Sequence, residues 1–393
     1  MQEATVVYVD DMSPYSKSLY SNMVAQNKFH FIYYAPKSVF GKLTSKSVLP
    51  NMKRIWTSHL YPYQIAREIA KDKPDIVHIQ FELNTFGSHY TSLLMFPLLT
   101  LLRALRRKVV VTVHTIIPRR RFTTEFTDSI IPSMFRAWHI PAVFYKSILD
   151  ILYSFIGWFS ESLIVHTNTQ KRCLVNDYGI LGKKIVVIPQ GVDYSPPSPN
   201  FEKVQFWRKK IGNKRIILYF GSITPIKGLD WLIRSFSQLQ KSYPNCVLVI
   251  VGSPNWYYTD YYNKTKKLVD TLNLGDTVIF TGWLTKSDLD NVFSLADVIV
   301  FPHVFPHSPS GTVAMVKKHR KKLIASNFGI LKEQLIDYKR VVFVQAGDEE
   351  ELAEAILSAI AITFPELESK FDNHHEDSWN RVALKTLLLY DCL

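Results

Sequence analysis

RIILYFGSITPIKGLDWLIRSF, residues 215–236, sets an unbroken apolar run directly before a glycine- and lysine-bearing turn and an amphipathic stretch. A short apolar run bounded by polar residues reads as a strand buried on both faces, and such strands belong to parallel sheets. The turn GSITPIKG (221–228) opens LDWLIRSF, whose apolar residues recur at helical spacing. Gly221 lets the backbone pass close to a ligand, and Lys227 places a cation at the helix N-terminus, where backbone N–H groups suit a phosphate. The Gly-Lys-Ser/Thr order of a Walker loop is missing.

The same unit repeats along the chain. CVLVIVGS (246–253), TVIFTG (277–282), DVIVFP (297–302), KLIASN (322–327) and RVVFVQ (340–345) are further strands, separated by helical stretches such as YYNKTKKLVDTLNL and EEELAEAILSAIAITF. Upstream, ATVVYVDD (4–11), HFIYYAP (30–36), DIVHIQ (75–80), KVVVTVHT (108–115), SLIVHT (162–167) and KIVVIP (184–189) alternate with YPYQIAREIAKDK and LLMFPLLTLLRALRRK. Strand–helix alternation of this kind predicts α/β domains with open parallel sheets. A polar, proline-rich linker, PQGVDYSPPSPNFEK (189–203), divides the two series. Two α/β halves joined in this way predict a cleft between them, with ligands at the carboxyl ends of the strands.

Length and composition agree. The 393 residues suit two domains, and 47% hydrophobic with 21% charged residues is a globular composition that excludes wholesale disorder. Cys173, Cys246 and Cys392 are too few and too scattered for a disulfide framework or a zinc site. MQEATVVYVDD lacks the basic and apolar regions of a signal peptide, and no apolar run reaches membrane-spanning length. A cytoplasmic protein is expected. The net charge of +13 is uneven: residues 1–190 hold 23 Lys/Arg against 12 Asp/Glu, and residues 191–393 hold 24 against 22. The first half is therefore expected to face something anionic.

FPHVFPHSPSGTVAM (301–315) crowds His303, His307, Ser308, Ser310, Gly311 and Thr312 into a loop that opens a helix at about Thr312. The N–H groups of Ser310 and Gly311 at that helix start suit an anion or hydroxyl. The two histidines have no third ligand nearby, and the prolines prevent a helical i, i+4 face, so no metal is expected.

The order of these segments resembles a GT-B glycosyltransferase of the family-4 type. Strand–GSITPIKG–helix, TVIFTGW, ADVIVFP, the Ser-Gly loop and LIASNFGILKEQL are similar to that family's C-terminal half. PDIVHIQFE, VVVTVHTIIP, SLIVHTNTQKRCLVNDYG and KIVVIPQGVD are similar to its N-terminal half, and DSWNRVALKTLLLY to its closing helix. The resemblance implies two Rossmann-like domains, residues 1–190 for the acceptor and 191–372 for the donor. It also implies a helix within 373–393 that crosses back to the first. It implies a retaining sugar transfer from a nucleotide-diphosphate sugar, UDP- or GDP-linked, with no cofactor or catalytic metal. Lys227 matches the lysine that neutralises the diphosphate, and His114 the histidine beside the transferred sugar. Glu333 matches a recurring glutamate after the glycine of SNFG. The donor set expected on this basis is Gly221, Ser222, Lys227, His307, Ser310, Gly311, Thr312, Met315 and Glu333. No side chain is expected as general base, because the leaving phosphate can take the acceptor proton.

Several positions depart from the family pattern. Ser222 stands where an arginine is usual, His307 and Met315 stand where two glutamates are usual, and KKHRKK (317–322) replaces a small, Gly-containing stretch. Ser13 and Ser16 occupy positions where glycines would admit a phosphate. These losses keep open a second reading, a catalytically silent GT-B protein that binds a lipid-linked glycan or scaffolds a partner enzyme.

The basic first half carries its arginines beside aromatics. Arg103, Arg106, Arg107, Arg119, Arg120 and Arg121, near Trp138, Phe144, Tyr145, Phe155 and Trp158, suit an anionic membrane surface. With Glu82 at a strand end, they are assigned to the acceptor and membrane side. A polyprenyl-phosphate-linked glycan, as used in glycan biosynthesis and protein glycosylation, fits that charge at the cytosolic membrane face. No nucleic-acid-binding signature is present.

Overall fold

A computed structural model describes residues 3–37, 49–83, 85–87, 91–121, 142–254, 258–305, 308–361 and 375–393. The first sheet holds β1 (Thr5–Val9), β2 (His30–Pro36), β3 (Met52–Trp56), β4 (Ile76–Phe81), β5 (Lys108–Val113), β6 (Ser162–Val165) and β7 (Ile185–Val187). Its spatial order is β3-β2-β1-β4-β5-β6-β7, every pair parallel. The second holds β8 (Arg215–Phe220), β9 (Cys246–Val251), β10 (Val278–Gly282), β11 (Val298–Phe301), β12 (Lys322–Ser326) and β13 (Val341–Val344). Its order is β10-β9-β8-β11-β12-β13, also parallel.

Each sheet reverses its winding once, between β1 and β4 and between β8 and β11. Loops leave in opposite directions at such a reversal, which opens a crevice at the strand ends. In the first domain that crevice is bordered by Asp10, Asp11 and Glu82, and in the second by the turn 221–228 and the loop 302–312. Register fixes the neighbours. β4 and β5 pair Phe81 with Val113, so Glu82 and His114 emerge side by side. β3 is absent from the sequence reading because MKRIW buries only Ile55 and Trp56 at a sheet edge, and alternation there breaks the apolar run.

The helix Trp379–Asp391 packs on the helix Pro14–Val24 of the first domain and buries Val382, Ala383, Leu387 and Tyr390. The two chain crossings meet beside it. Val192 and Ser378 form a parallel bridge, Val192 N–H donates to the Asp377 carbonyl at 2.8 Å, and Tyr194 OH donates to the Asp377 carboxylate at 2.8 Å. A Cβ on Gly191 would lie 2.2 Å from the Trp379 ring.

The basic stretch 317–322 serves this joint. Lys317 pairs with Asp377, Lys318 lies 3.8 Å from Asp193 and 3.9 Å from Asp290, and buried His319 is 3.0 Å from Asp290. Lys321 caps the carbonyls of Ser294 and Ala296 at 2.7 and 3.0 Å. The charges are thus internal fastenings. Gly191→Ala is expected to destabilise the protein by about 1–3 kcal/mol through overpacking against Trp379. Gly275→Ala, which meets nothing within 4 Å, is the control; urea unfolding of both variants checks the difference.

Candidate active site

The second-domain half is built by close backbone approach. Gly221 and Gly252 adopt φ of +145° and +144°, and a Cβ on Gly252 would lie 1.9 Å from the Gly221 carbonyl. Gly228, at φ +64°, would place a Cβ 1.9 Å from the Pro302 carbonyl, so the turn 225–228 lies directly on the strand end of β11. Val304 N–H donates to the Ile226 carbonyl at 3.0 Å and completes the contact.

That contact brings Lys227 Nζ to 2.7 Å from His303 Nε2 and 3.5 Å from Ser310 Oγ. Ser310 Oγ lies 2.6 Å from Thr312 Oγ1, and the helix Thr312–His319 starts there, as its sequence predicts. Ser310 N–H donates to Gln334 Oε1 at 2.8 Å, so this N–H holds the loop in place and the hydroxyls of Ser310 and Thr312 line it. Lys227 has neutral partners; among the described residues no carboxylate pairs with it. Burial pushes its ammonium down to about 8. In the same turn, Thr224 Oγ1 is buried without a hydrogen bond among the described residues. A desolvated cation among hydroxyls and no counter-charge is a receptor for an anion.

Other positions expected at the donor take up contacts of their own. Ser222 carbonyl accepts from Tyr219 OH at 3.0 Å, and Met315 packs partly buried on the core of its own domain. Glu333 reaches the first domain and accepts from Thr169 N–H at 2.9 Å, from Thr169 Oγ1 at 3.0 Å and from Asn168 N–H. It caps the helix Asn168–Tyr178 and bridges the domains. His307 and Trp138 lie outside the described residues, as do the side chains of Arg121, Phe144 and Tyr145.

His114 stands in a buried polar chain. Its Nδ1 is 3.0 Å from His166 Nε2, its Nε2 is 2.9 Å from the Gln80 amide, and the same amide is 2.9 Å from His78 Nε2. His166 Nδ1 faces the Ile188 carbonyl at 2.9 Å, and His78 Nδ1 meets Tyr390 OH of the C-terminal helix. Burial lowers the three imidazoles, His78 to about 3, His166 to about 4 and His114 well below its ordinary value, so all are neutral near pH 7. One proton arrangement satisfies every neutral member. His166 Nδ1–H donates to the Ile188 carbonyl, His114 Nδ1–H donates to His166 Nε2, and the Gln80 amide, placed with Oε1 2.9 Å from His114 Nε2, turns end for end so that its N–H donates there and its oxygen accepts from His78. Both ring nitrogens of His114 are therefore engaged inside the first domain, and Tyr15 packs edge-on at 4.9 Å.

The β1 crevice is acidic. Asp11 is pushed up to about 8, first by burial and then by Asp10; Glu82 is raised by burial and accepts from Thr115 Oγ1 at 3.1 Å. Ser13 caps the following helix by accepting from Ser16 N–H at 3.2 Å, and its own N–H donates to Asp10 at 2.9 Å. This turn presents carboxyl groups where glycines would cradle a phosphate. The arginines also divide. Arg103 and Arg106 are exposed. Arg107 donates to the Pro74 carbonyl at 3.0 Å, and Arg119 pairs with Asp150 at 2.7 Å. Arg120 lines an interdomain cleft of about 460 Å³ with Gln170, Arg172, Asn176, Phe305 and Phe328.

Asp11 gives a pH test. A carboxyl with a raised folded pKa binds a proton that the unfolded chain has already lost, so stability falls as pH rises from about 4 to about 8. Asp11→Asn is expected to be more stable than the native chain, with a gain that grows from pH 5 to pH 8 and then levels. Denaturant unfolding across that range measures it.

Comparison with known proteins agrees with this architecture. The family described as Glycosyltransferase Family 4 matches residues 23–195, and Glycosyl transferases group 1 matches residues 201–376. The D-inositol 3-phosphate glycosyltransferase of Kineococcus radiotolerans is 27% identical over 45% of this chain and 42% of that protein. The match thus spans less than half the length of that relative. Sucrose-phosphate synthase from Thermosynechococcus elongatus superposes with a TM-score of 0.73 at 18% identity, over 99% of this chain and 98% of that one. Anabaena HepE in complex with UDP-glucose superposes with a TM-score of 0.69 at 14% identity, over 99% of this chain and all of that one. With consecutive family matches over both sheets and the same two-domain fold, the chain belongs to the family-4 type of GT-B glycosyltransferases.

Proposed function

We propose that the chain is a retaining glycosyltransferase that takes a sugar from a nucleotide-diphosphate sugar. The observation that carries this reading is Lys227, desolvated, without a carboxylate partner among the described residues, and set at the second-domain winding reversal. In the proposed reaction the bond from the anomeric carbon to the β-phosphate oxygen breaks, and the acceptor oxygen bonds that carbon on the same face. The acceptor proton passes to the leaving diphosphate, whose growing charge Lys227 stabilises. The hydroxyls of Ser310 and Thr312 contact the phosphate or sugar, and His307 is proposed at the sugar. His114 forms the first-domain wall and contacts the sugar only by releasing Gln80 or His166. A UDP-linked donor is favoured because the HepE structure of the same fold holds UDP-glucose.

Thermal-shift measurements with UDP-, GDP-, ADP- and dTDP-sugars test the donor site. One donor is expected to stabilise the native chain and to lose that effect in Lys227→Ala, with transfer about 100- to 1000-fold slower. No stabilisation by any donor would favour the silent-fold reading.

The acceptor is proposed to carry phosphate, bound in the cleft between Arg120 and Arg172, and to be lipid-linked at the cytosolic membrane face. Both arginines border one cavity of a volume that suits a small ligand. The docking surface is the outer face of the helix Ala142–Phe159, where Ile148, Ile151 and Trp158 lie in one stripe, Trp158 72% exposed. Exposed Leu181 and Lys183 flank it, and Lys184 caps the helix end through the carbonyls of Gly157 and Ser160 at 2.9 and 2.8 Å. Arg103 lies close enough to Lys184 to help lower its pKa. An apolar stripe edged by cations suits an anionic bilayer. Among the described residues no helix is long and apolar enough to cross a membrane. Sedimentation with phosphatidylglycerol vesicles is expected to carry the native chain down. Trp158→Ala with Ile151→Ser should reduce binding at least tenfold, and neutral vesicles should bind neither protein.

A further inference from the structure

The donor site lacks the second cation that the arginine position, here Ser222, would supply, yet a diphosphate carries more charge than one lysine offsets. Among the described residues, His303 is the side chain able to become a cation that touches Lys227 directly. It follows β11 directly, is 5% exposed, and packs against the Phe301 ring at 5.6 Å. Its Nε2 faces Lys227 Nζ at 2.7 Å. An ammonium has only protons to offer, so His303 Nε2 is the acceptor and the imidazole is neutral while this bond stands. Gly228 and the Ile226–Val304 backbone bond fix that geometry.

We propose that His303 is a second donor-binding residue, a neutral acceptor for Lys227 in the free protein and a protonated contact to the diphosphate once the donor is bound. When phosphate oxygens take over the Lys227 N–H groups, His303 Nε2 loses its donor beside a new negative charge. A proton from solvent then fills that position, and the imidazolium donates to a phosphate oxygen. No bond other than this N–H is made. Lys227 is the charged group facing His303 from the turn after β8; the loop 308–312 contributes the Ser310 and Thr312 hydroxyls near Lys227. This inference rests on the proposed donor site.

Calorimetric titration of the full chain with UDP, GDP and ADP at pH 7.0, in two buffers of different ionisation enthalpy, counts the protons taken up. Lys227 is already largely charged at that pH, because its pKa lies near 8. The native chain is expected to take up a measurable fraction of a proton with the nucleotide it binds. His303→Gln should bind that nucleotide about tenfold more weakly, with proton uptake cut to the small fraction that Lys227 itself supplies, and should raise the donor KM while the acceptor KM stays unchanged. A histidine NMR signal moving to its imidazolium position on nucleotide addition to the native chain supports the same conclusion without relying on a variant. Nucleotide binding with unchanged affinity and proton uptake in His303→Gln would overturn the role of His303 alone. Failure of the native chain to bind any of the three would overturn the donor site and this inference together.

Discussion

A side chain on Gly228 would sit 1.9 Å from the Pro302 carbonyl, and the second-domain half of the cleft depends on that space being empty. Direct backbone contact between the turn after β8 and the end of β11 sets Lys227 on His303 and within reach of Ser310. Nothing in the sheet itself demands this. The winding reversal only opens the crevice; the glycines decide how closely its two walls approach. Burial then makes the lysine costly to keep charged without an anion, so packing and recognition are linked.

The two halves of the cleft have opposite characters. The second domain offers a cation and hydroxyls, whereas the first offers Asp10, Asp11 and Glu82 around a closed histidine chain. The net positive charge of residues 1–190 does not describe this crevice. Its cations lie at the cleft entrance, on the outer helices, or in surface pairs such as Arg119 with Asp150. The C-terminal helix reaches the histidine chain through Tyr390, and Trp379 contacts Tyr15 at 5.3 Å, so the domain crossing and the first-domain site share one packed unit.

Most of the fold was legible because buried parallel strands are continuous apolar runs, and both sheets follow from their order. β3 escaped because an edge strand needs little apolar content. Lys227 and the Ser310–Thr312 loop were legible as a cation and hydroxyls at strand–helix turns. His303 was read only as a metal candidate, since nothing in sequence places it against a lysine 76 positions away. A signal for His166 was present, because VHT occurs at 113–115 and again at 165–167, on strands that pair. The fastening role of KKHRKK was not legible: a run of cations reads as solvated until its partners Asp193, Asp290 and Asp377 are brought together by tertiary structure.

The most direct test of the account is a crystal structure of the protein with UDP bound. The β-phosphate is expected within hydrogen-bond distance of both Lys227 Nζ and His303 Nε2, with Ser310 or Thr312 on the same oxygens. A diphosphate seated instead on the Ser13 turn of the first domain, with the Lys227–His303 bond intact, would contradict it.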